Sequence, residues 1–237
     1  MTIGLGIITY NREIALKSLL NSLYLNGVLD QSSNIIVCDD CSSYDIKSLT
    51  NDYNVKLVQT KGNMGVVYSK NNALYNLFEK QNCDNVLLLE DDVICISNQL
   101  LPLWDNIINI FNHVNYLHPH DFDKYYTYEP DKVYLTPRLT AQAMGISRKV
   151  FDDIGYFNPL FKGYGYGHTE YSERALRMGY GGKMFKYYAT KGFIQPNEIF
   201  DSYFDGDNYT LNKLKYLNVL SNYKIKVTRS DVEEYLS

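Results

Sequence analysis

The sequence predicts an α/β fold: a mostly parallel central sheet with helices on both faces, then a mixed half and a C-terminal helical extension. Three observations carry this. Short apolar runs alternate with amphipathic stretches through the first half of the chain. The run Val86 to Leu89 is apolar without alternation, as a strand covered on both faces must be. Acidic residues come directly after two of these runs, at Asp39-Asp40 and at Glu90-Asp91-Asp92.

The elements run in order. Ile3 to Thr9 reads as a strand, with Asn11 as the cap of a helix whose apolar face is Leu16, Leu19, Leu20 and Leu23. Asn26-Gly27 ends that helix. Ile35 to Val37 and Val55 to Gln59 are the second and third strands. A loop at Gly62 to Gly65 leads into a helix carrying Ala73, Leu74, Leu77 and Phe78, and Val86 to Leu89 is the fourth strand. Leu100, Leu103, Trp104, Ile107, Phe111 and Val114 form a further helical stripe, read as core. The rhythm then changes. Residues 116–131 read as a polar, aromatic loop in which His118 and His120 are surface groups, followed by strands near Lys132 to Leu135 and Gln142 to Ser147. A Gly-Tyr turn, a helix from Thr169 to Met178 and a strand from Lys183 to Tyr187 come next. The tail from Asp207 carries a helix with Leu211, Leu214, Leu217 and Leu220 and a short charged piece to Ser237.

Composition narrows the function. The 237 residues are 45% hydrophobic and 21% charged, enough for a sizeable core and unlike a disordered or low-complexity chain. A net charge of −4 argues against nucleic acid as the main partner. No apolar run approaches the roughly 18 residues of a membrane span, and no signal-peptide pattern opens the chain, so a cytoplasmic protein is expected. Cys38, Cys41, Cys83 and Cys95 make no disulfide framework, and Cys38-Asp39-Asp40-Cys41 reads as a strand end because flanking carboxylates hold thiols protonated.

Glu90-Asp91-Asp92 is the strongest chemical signal. Ligands of open parallel sheets bind beyond the carboxyl ends of the strands. Two carboxylates about 5 Å apart repel by on the order of 3 kcal/mol at an effective dielectric near 20. A divalent cation removes that cost, and an all-oxygen ligand set suits Mn2+ or Mg2+. Asp39-Asp40 places acceptors for base or ribose at a second strand end. Thr9-Tyr10-Asn11-Arg12 offers a ring and a phosphate-binding guanidinium at the first. Asn63-Met64-Gly65 with Lys70-Asn71 is a glycine loop entering a helix, which exposes backbone N–H groups.

In this order, over about residues 3 to 190, these four motifs resemble the nucleotide-sugar half of a GT-A glycosyltransferase, most like the family-2 enzymes. The resemblance implies a nucleotide-binding half at 1–97 and an acceptor-binding half at 98–198, together one domain, with the extension over 199–237. It implies that Thr9, Tyr10, Asn11, Arg12, Asn63, Gly65 and Lys70 line the donor site. Asp39 or Asp40 would hold the base, with Asp91 near the ribose. Asp92 would bind the metal directly and Glu90 through water. On the acceptor side the family carries a glycine turn and then an acidic pair opening a helix. Here Gly163 to Gly167 is followed by His168-Thr169 in place of Glu-Asp, and Glu170 is the first carboxylate. Glu170 is therefore the expected general base and His168 the alternative, with Tyr164 and Tyr166 as the acceptor platform.

The activity so implied is an inverting, metal-dependent transfer from a UDP-sugar to a hydroxyl of a glycan or another acceptor. Two rivals remain open from the sequence. A sugar-phosphate nucleotidyltransferase needs a basic triphosphate loop near the first strand, where this chain has Gly4-Leu5-Gly6 and then Thr9. A non-catalytic nucleotide-sugar-binding module would keep the cleft without the base.

Overall fold

A computed structural model describes residues 2–117, 129, 131–163, 165–197, 206–221 and 226–236. Tyr164, His118 and His120, expected in the acceptor platform and the surface loop, lie outside the described residues. A nine-stranded sheet organises the chain, with a separate two-stranded ribbon beside it. Strands β1 (Ile3–Thr9), β2 (Ile35–Asp39), β3 (Lys56–Gln59) and β4 (Asn85–Glu90) lie parallel in the order β3-β2-β1-β4. The chain thus winds outward from β1 to β3 and then returns to its other side. That reversal makes the carboxyl ends of β1 and β4 the crevice where such sheets take ligands.

Beyond β4 the sheet becomes mixed. β8 (Thr140–Ser147) runs antiparallel to β4 and to β6 (His113–Tyr116). β10 (Lys186–Thr190) is parallel to β6 and antiparallel to both β7 (Tyr134–Thr136) and β9 (Gly182–Lys183). β5 (Val93–Cys95) and β11 (Ile194–Pro196) pair as the ribbon.

Side chains of one strand alternate between two cores, which explains why β4 shows no polar alternation. Leu87 and Leu89 join helices α1 (Glu13–Leu25), α2 (Ile46–Asp52) and α4 (Leu100–Phe111) on one face. Val86 and Leu88 join α3 (Val66–Leu74, continued by a π-helical turn Tyr75–Lys80), α5 (Arg148–Ile154) and α6 (Gly167–Arg177) on the other. Each buried leucine contributes about 1.5–3 kcal/mol. Gly4 and Gly6 in β1 allow α3 to approach closely: a Cβ there would lie 2.8 Å from Leu77 and 2.9 Å from Ala73. They serve packing and form no phosphate loop.

Several expectations are corrected. Asn11 does not cap α1; it sits at φ 51, and Arg12 precedes the helix. Its side chain instead accepts from the Ser43 N–H at 2.8 Å and pins the loop after β2. Val114 belongs to β6, because Asn112 at φ 62 ends α4 first. The expected strand at 183–187 is a hairpin, β9 to β10, turning at Met184 and Phe185. Helix α7 (Gly206–Ser221) is present, but Leu211, Leu214 and Leu217 are exposed. It docks through buried Asn212, which donates to the carbonyls of Lys162 at 2.8 Å and Gly165 at 3.2 Å. The chain beyond it returns to the body: Val227 bridges Gly155, and Val227 and Val232 are buried in the α3-side core. Among the described residues no helix is long and apolar enough to cross a membrane. The four cysteines are free; Cys38 is buried, and burial pushes its thiol pKa far up.

Candidate active site

Three strand ends meet on one edge of the sheet, and two of them are acidic. Thr9, the last residue of β1, is in register with Asp39 of β2. Its carbonyl accepts from the Asp40 N–H at 3.1 Å, and the Ile8 carbonyl accepts from the Asp91 N–H at 3.1 Å. The backbones that present both acidic motifs are therefore hydrogen-bonded to opposite sides of β1.

The carboxylates divide by what they touch. Asp40 is buried, accepting from Met64 N–H at 2.8 Å, Gly65 N–H at 2.6 Å and Thr60 Oγ1 at 3.2 Å. It shapes the glycine loop. Asp39 is also buried and accepts from Ser42 and from Gln59 Nε2 at 2.8 Å, so Oδ2 is occupied and Oδ1 faces the Ser42 hydroxyl. Gly65 sits at φ 97, where a Cβ would meet the Gly163 nitrogen at 2.8 Å. The glycine loop after β3 and the Gly-Tyr turn are in contact there. Asn63 and Tyr10 are exposed at the rim.

Asp91 accepts from Thr9 Oγ1 at 2.7 Å and from Arg12 at 3.1 Å. Burial pushes its pKa up to about 6 against those two donors. Asp92 is buried with Arg12 3.7 Å from Oδ2, while Oδ1 is buried with no hydrogen-bond partner. Its pKa rises to about 7 through burial and then the charges of Glu90 and Asp91, opposed by Arg12 and Gln142. Glu90 behaves differently: burial opposes its ionisation, yet Lys70, 2.7 Å away, brings its pKa below the ordinary range. Lys70 is itself buried against Glu90 and is not exposed toward a ligand. Asn71 clamps Phe157, donating to its carbonyl at 3.0 Å and accepting from its N–H at 2.8 Å.

The acceptor side separates the two candidate bases. Glu170 is fully buried, and Arg174 donates Nε to Oε1 at 2.7 Å and a terminal nitrogen to Oε2 at 3.1 Å. The same guanidinium holds the carbonyls of Ile154 at 2.6 Å and Tyr156 at 2.7 Å. A sealed, doubly paired carboxylate is a fold element, so the expectation that Glu170 meets an acceptor hydroxyl does not fit this geometry. His168 is half-buried beside Glu90 and Lys70. Burial, then Lys70, drives its pKa down to about 4 against Glu90, leaving a neutral imidazole with a lone pair. Tyr166 is half-buried and packs on Tyr216 with centroids 5.2 Å apart. Glu173 accepts the Tyr187 hydroxyl.

The donor set fits a hard cation shared with a ligand. Among the described residues no three His, Cys, Asp or Glu side chains form a ready ligand set. Mg2+-type sites are typically built from one or two carboxylates completed by waters and substrate phosphates. Asp92, with its orphaned buried oxygen, could supply such a carboxylate. Gln142, which reaches Asp92 from β8, has no counterpart among the sequence expectations; a lone glutamine on an apolar strand carries no signal.

The fold is of the GT-A kind. The sequence profile of glycosyl transferase family 2 matches residues 5–164, and the chain belongs to that family. No curated protein sequence matches it. Among solved structures, the mannosyltransferase PcManGT from Pyrobaculum calidifontis, in complex with GDP-Man and Mn2+, is 17% identical with a TM-score of 0.60, over 76% of this chain and 53% of that one. GalNAc-T7 with UDP, GalNAc and Mn2+ is 14% identical with a TM-score of 0.64, over 92% and 48%. Glucosyl-3-phosphoglycerate synthase from Mycobacterium tuberculosis, with Mn2+, UDP and glucosyl-3-phosphoglycerate, is 16% identical with a TM-score of 0.52, over 75% and 66%. The chain spans about half the length of the first two.

Proposed function

We propose that the chain transfers a sugar from a nucleoside diphosphate sugar, with UDP as the nucleotide, to a hydroxyl of a glycan or another acceptor, inverting the anomeric carbon. The observation that carries this reading is the buried Asp92 oxygen without a partner, on the edge where Asp39, Thr9, Arg12, Glu90 and Asp91 converge. Nucleotides and Mn2+ in the structures of similar fold support it.

Base and ribose contact Asp39 and Asp91, whose remaining lone pairs accept their N–H and O–H groups. Asp92, with Glu90 acting through water, would hold Mn2+ or Mg2+, which would neutralise charge building on the leaving diphosphate. Arg12, already beside Asp91 and Asp92, adds a guanidinium to the same phosphates. Lys70 keeps Glu90 ionised. The acceptor oxygen bonds to the anomeric carbon as the bond to the phosphate oxygen breaks, and its proton passes to the His168 imidazole. Tyr166 forms part of the acceptor wall. The nucleotidyltransferase alternative gains nothing, because Gly4 and Gly6 are packed against α3.

The test is a panel of nucleotide sugars, with and without Mn2+, read by thermal stabilisation and then by transfer to hydroxyl acceptors. A UDP-sugar that raises Tm only with the metal is expected. Stabilisation by none of them, or full turnover in excess chelator, overturns the assignment.

A further inference from the structure

We infer that the β9–β10 turn docks on an anionic lipid surface. Met184 and Phe185 form this two-residue turn and are 86% and 89% exposed. Both sit in the left-handed region, at φ 48 and 62, where a hairpin favours Asn-Gly and a large side chain is unfavourable. The turn therefore holds two apolar groups outward at a cost that no contact among the described residues recovers.

The two residues that flank the tip are both cations. Lys183 and Lys186 face each other across the turn, an arrangement that is itself repulsive. Among the described residues neither makes an ion pair. Arg177 and the 40% exposed Met178 end the helix leading into this hairpin. The nearby acids are engaged: Glu173 accepts the Tyr187 hydroxyl and Asp153 the Tyr180 hydroxyl. On a chain of net charge −4, an apolar tip flanked by Lys183 and Lys186 matches the boundary of a bilayer, with Phe and Met entering the acyl edge and the lysines at the headgroups.

The register fixes its orientation. Lys186 begins β10, whose far end pairs Thr190 with Tyr116, and Tyr116 in turn pairs with Thr140 at the end of the sheet near Glu90. The tip is thus at the end opposite the acidic cleft, and a membrane held there leaves the cleft open. This contact is peripheral and requires no membrane-spanning helix.

The test is co-sedimentation of the full chain with phosphatidylcholine vesicles containing or lacking phosphatidylserine. Binding to the anionic vesicles, weakening with salt, is expected. Met184→Ser with Phe185→Ser should lower the partition coefficient about 100-fold, and Lys183→Glu with Lys186→Glu at least about 30-fold. Both variants should keep the wild-type Tm, since these side chains are exposed. Equal partitioning of wild type and either variant, or no binding to anionic vesicles, overturns the proposal. So does a concentration-dependent dimer, seen by analytical ultracentrifugation without lipid, that the Met184/Phe185 variant abolishes, because a second copy then covers the tip.

Discussion

Glu170 and Arg174, one helical turn apart on α6, form a two-point ion pair with no exposed surface. Arg174 also draws in the carbonyls of Ile154 and Tyr156, so the pair ties α6 to the end of α5. Removing one member of such a pair leaves a buried charge uncompensated, at about 3–5 kcal/mol. Glu170→Ala is therefore expected to lower stability by that amount in urea titrations. A Glu170→Ala protein with wild-type stability and no turnover would instead return the base role to Glu170.

His168 makes the opposite prediction. It is half-buried and carries no ion pair that holds the fold among the described residues. His168→Ala should keep its Tm and its nucleotide affinity while transfer falls about 10²–10⁴-fold, the range for loss of a general base. Turnover near the wild-type rate would remove His168 from the mechanism.

Asp92→Asn isolates the metal. The buried carboxylate has a raised pKa and an oxygen without a partner, so replacing it with a neutral amide should leave stability equal or higher. Mn2+ affinity, measured by electron paramagnetic resonance in the presence of UDP, should fall at least tenfold. Unchanged affinity would place the ion elsewhere.

His113 sets an acid limit. It is fully buried, with Nδ1–H donating to Gly145 O at 3.0 Å and Nε2 accepting from Ser172 Oγ at 2.9 Å, and Asn115 and Tyr171 beside it. Burial lowers its pKa from 6.5 to about 4, against the Gly145 bond. The unfolded chain then binds a proton that the folded one does not. Stability from this group is present above pH 6.5 and declines as pH falls toward 4, by on the order of 3 kcal/mol. His113→Gln retains a donor for Gly145 and should show a shallower loss between these pH values in urea midpoints. Identical profiles would contradict the assignment.

Gly65→Ala probes the contact between donor loop and acceptor turn. Its φ of 97 and the 2.8 Å approach to Gly163 exclude a methyl group without movement. A cost of about 1–3 kcal/mol is expected, with weaker nucleotide binding because the Met64 and Gly65 N–H groups shift off Asp40. Calorimetry of UDP binding would read it, and undiminished affinity would show that the loop does not shape the donor site.

The donor edge was legible because parallel strands buried on both faces leave an unmistakable apolar run, and the residues just past Val37 and Leu89 must emerge at the sheet's edge. Partnership was not legible. Glu170 with Arg174 and Glu173 with Arg177 have the same four-residue spacing, and spacing does not say which pair faces the core. Lys70 and Asn71 read as a ligand-binding pair but are occupied by Glu90 and Phe157, contacts across 20 and 86 positions of chain. The leucines of α7 recur every third residue, a period that drifts around a helix of 3.6 residues per turn and leaves no continuous stripe to bury.

Asn212 gives that helix its consequence. One side-chain amide, far along the chain from the glycine turn, fastens the Lys162 and Gly165 carbonyls, while Gly65 abuts Gly163 between them. The wall proposed for the acceptor is therefore braced by the C-terminal helix, and swapping or shifting that helix would retune which acceptors are tolerated before it loosened the proposed grip on the nucleotide.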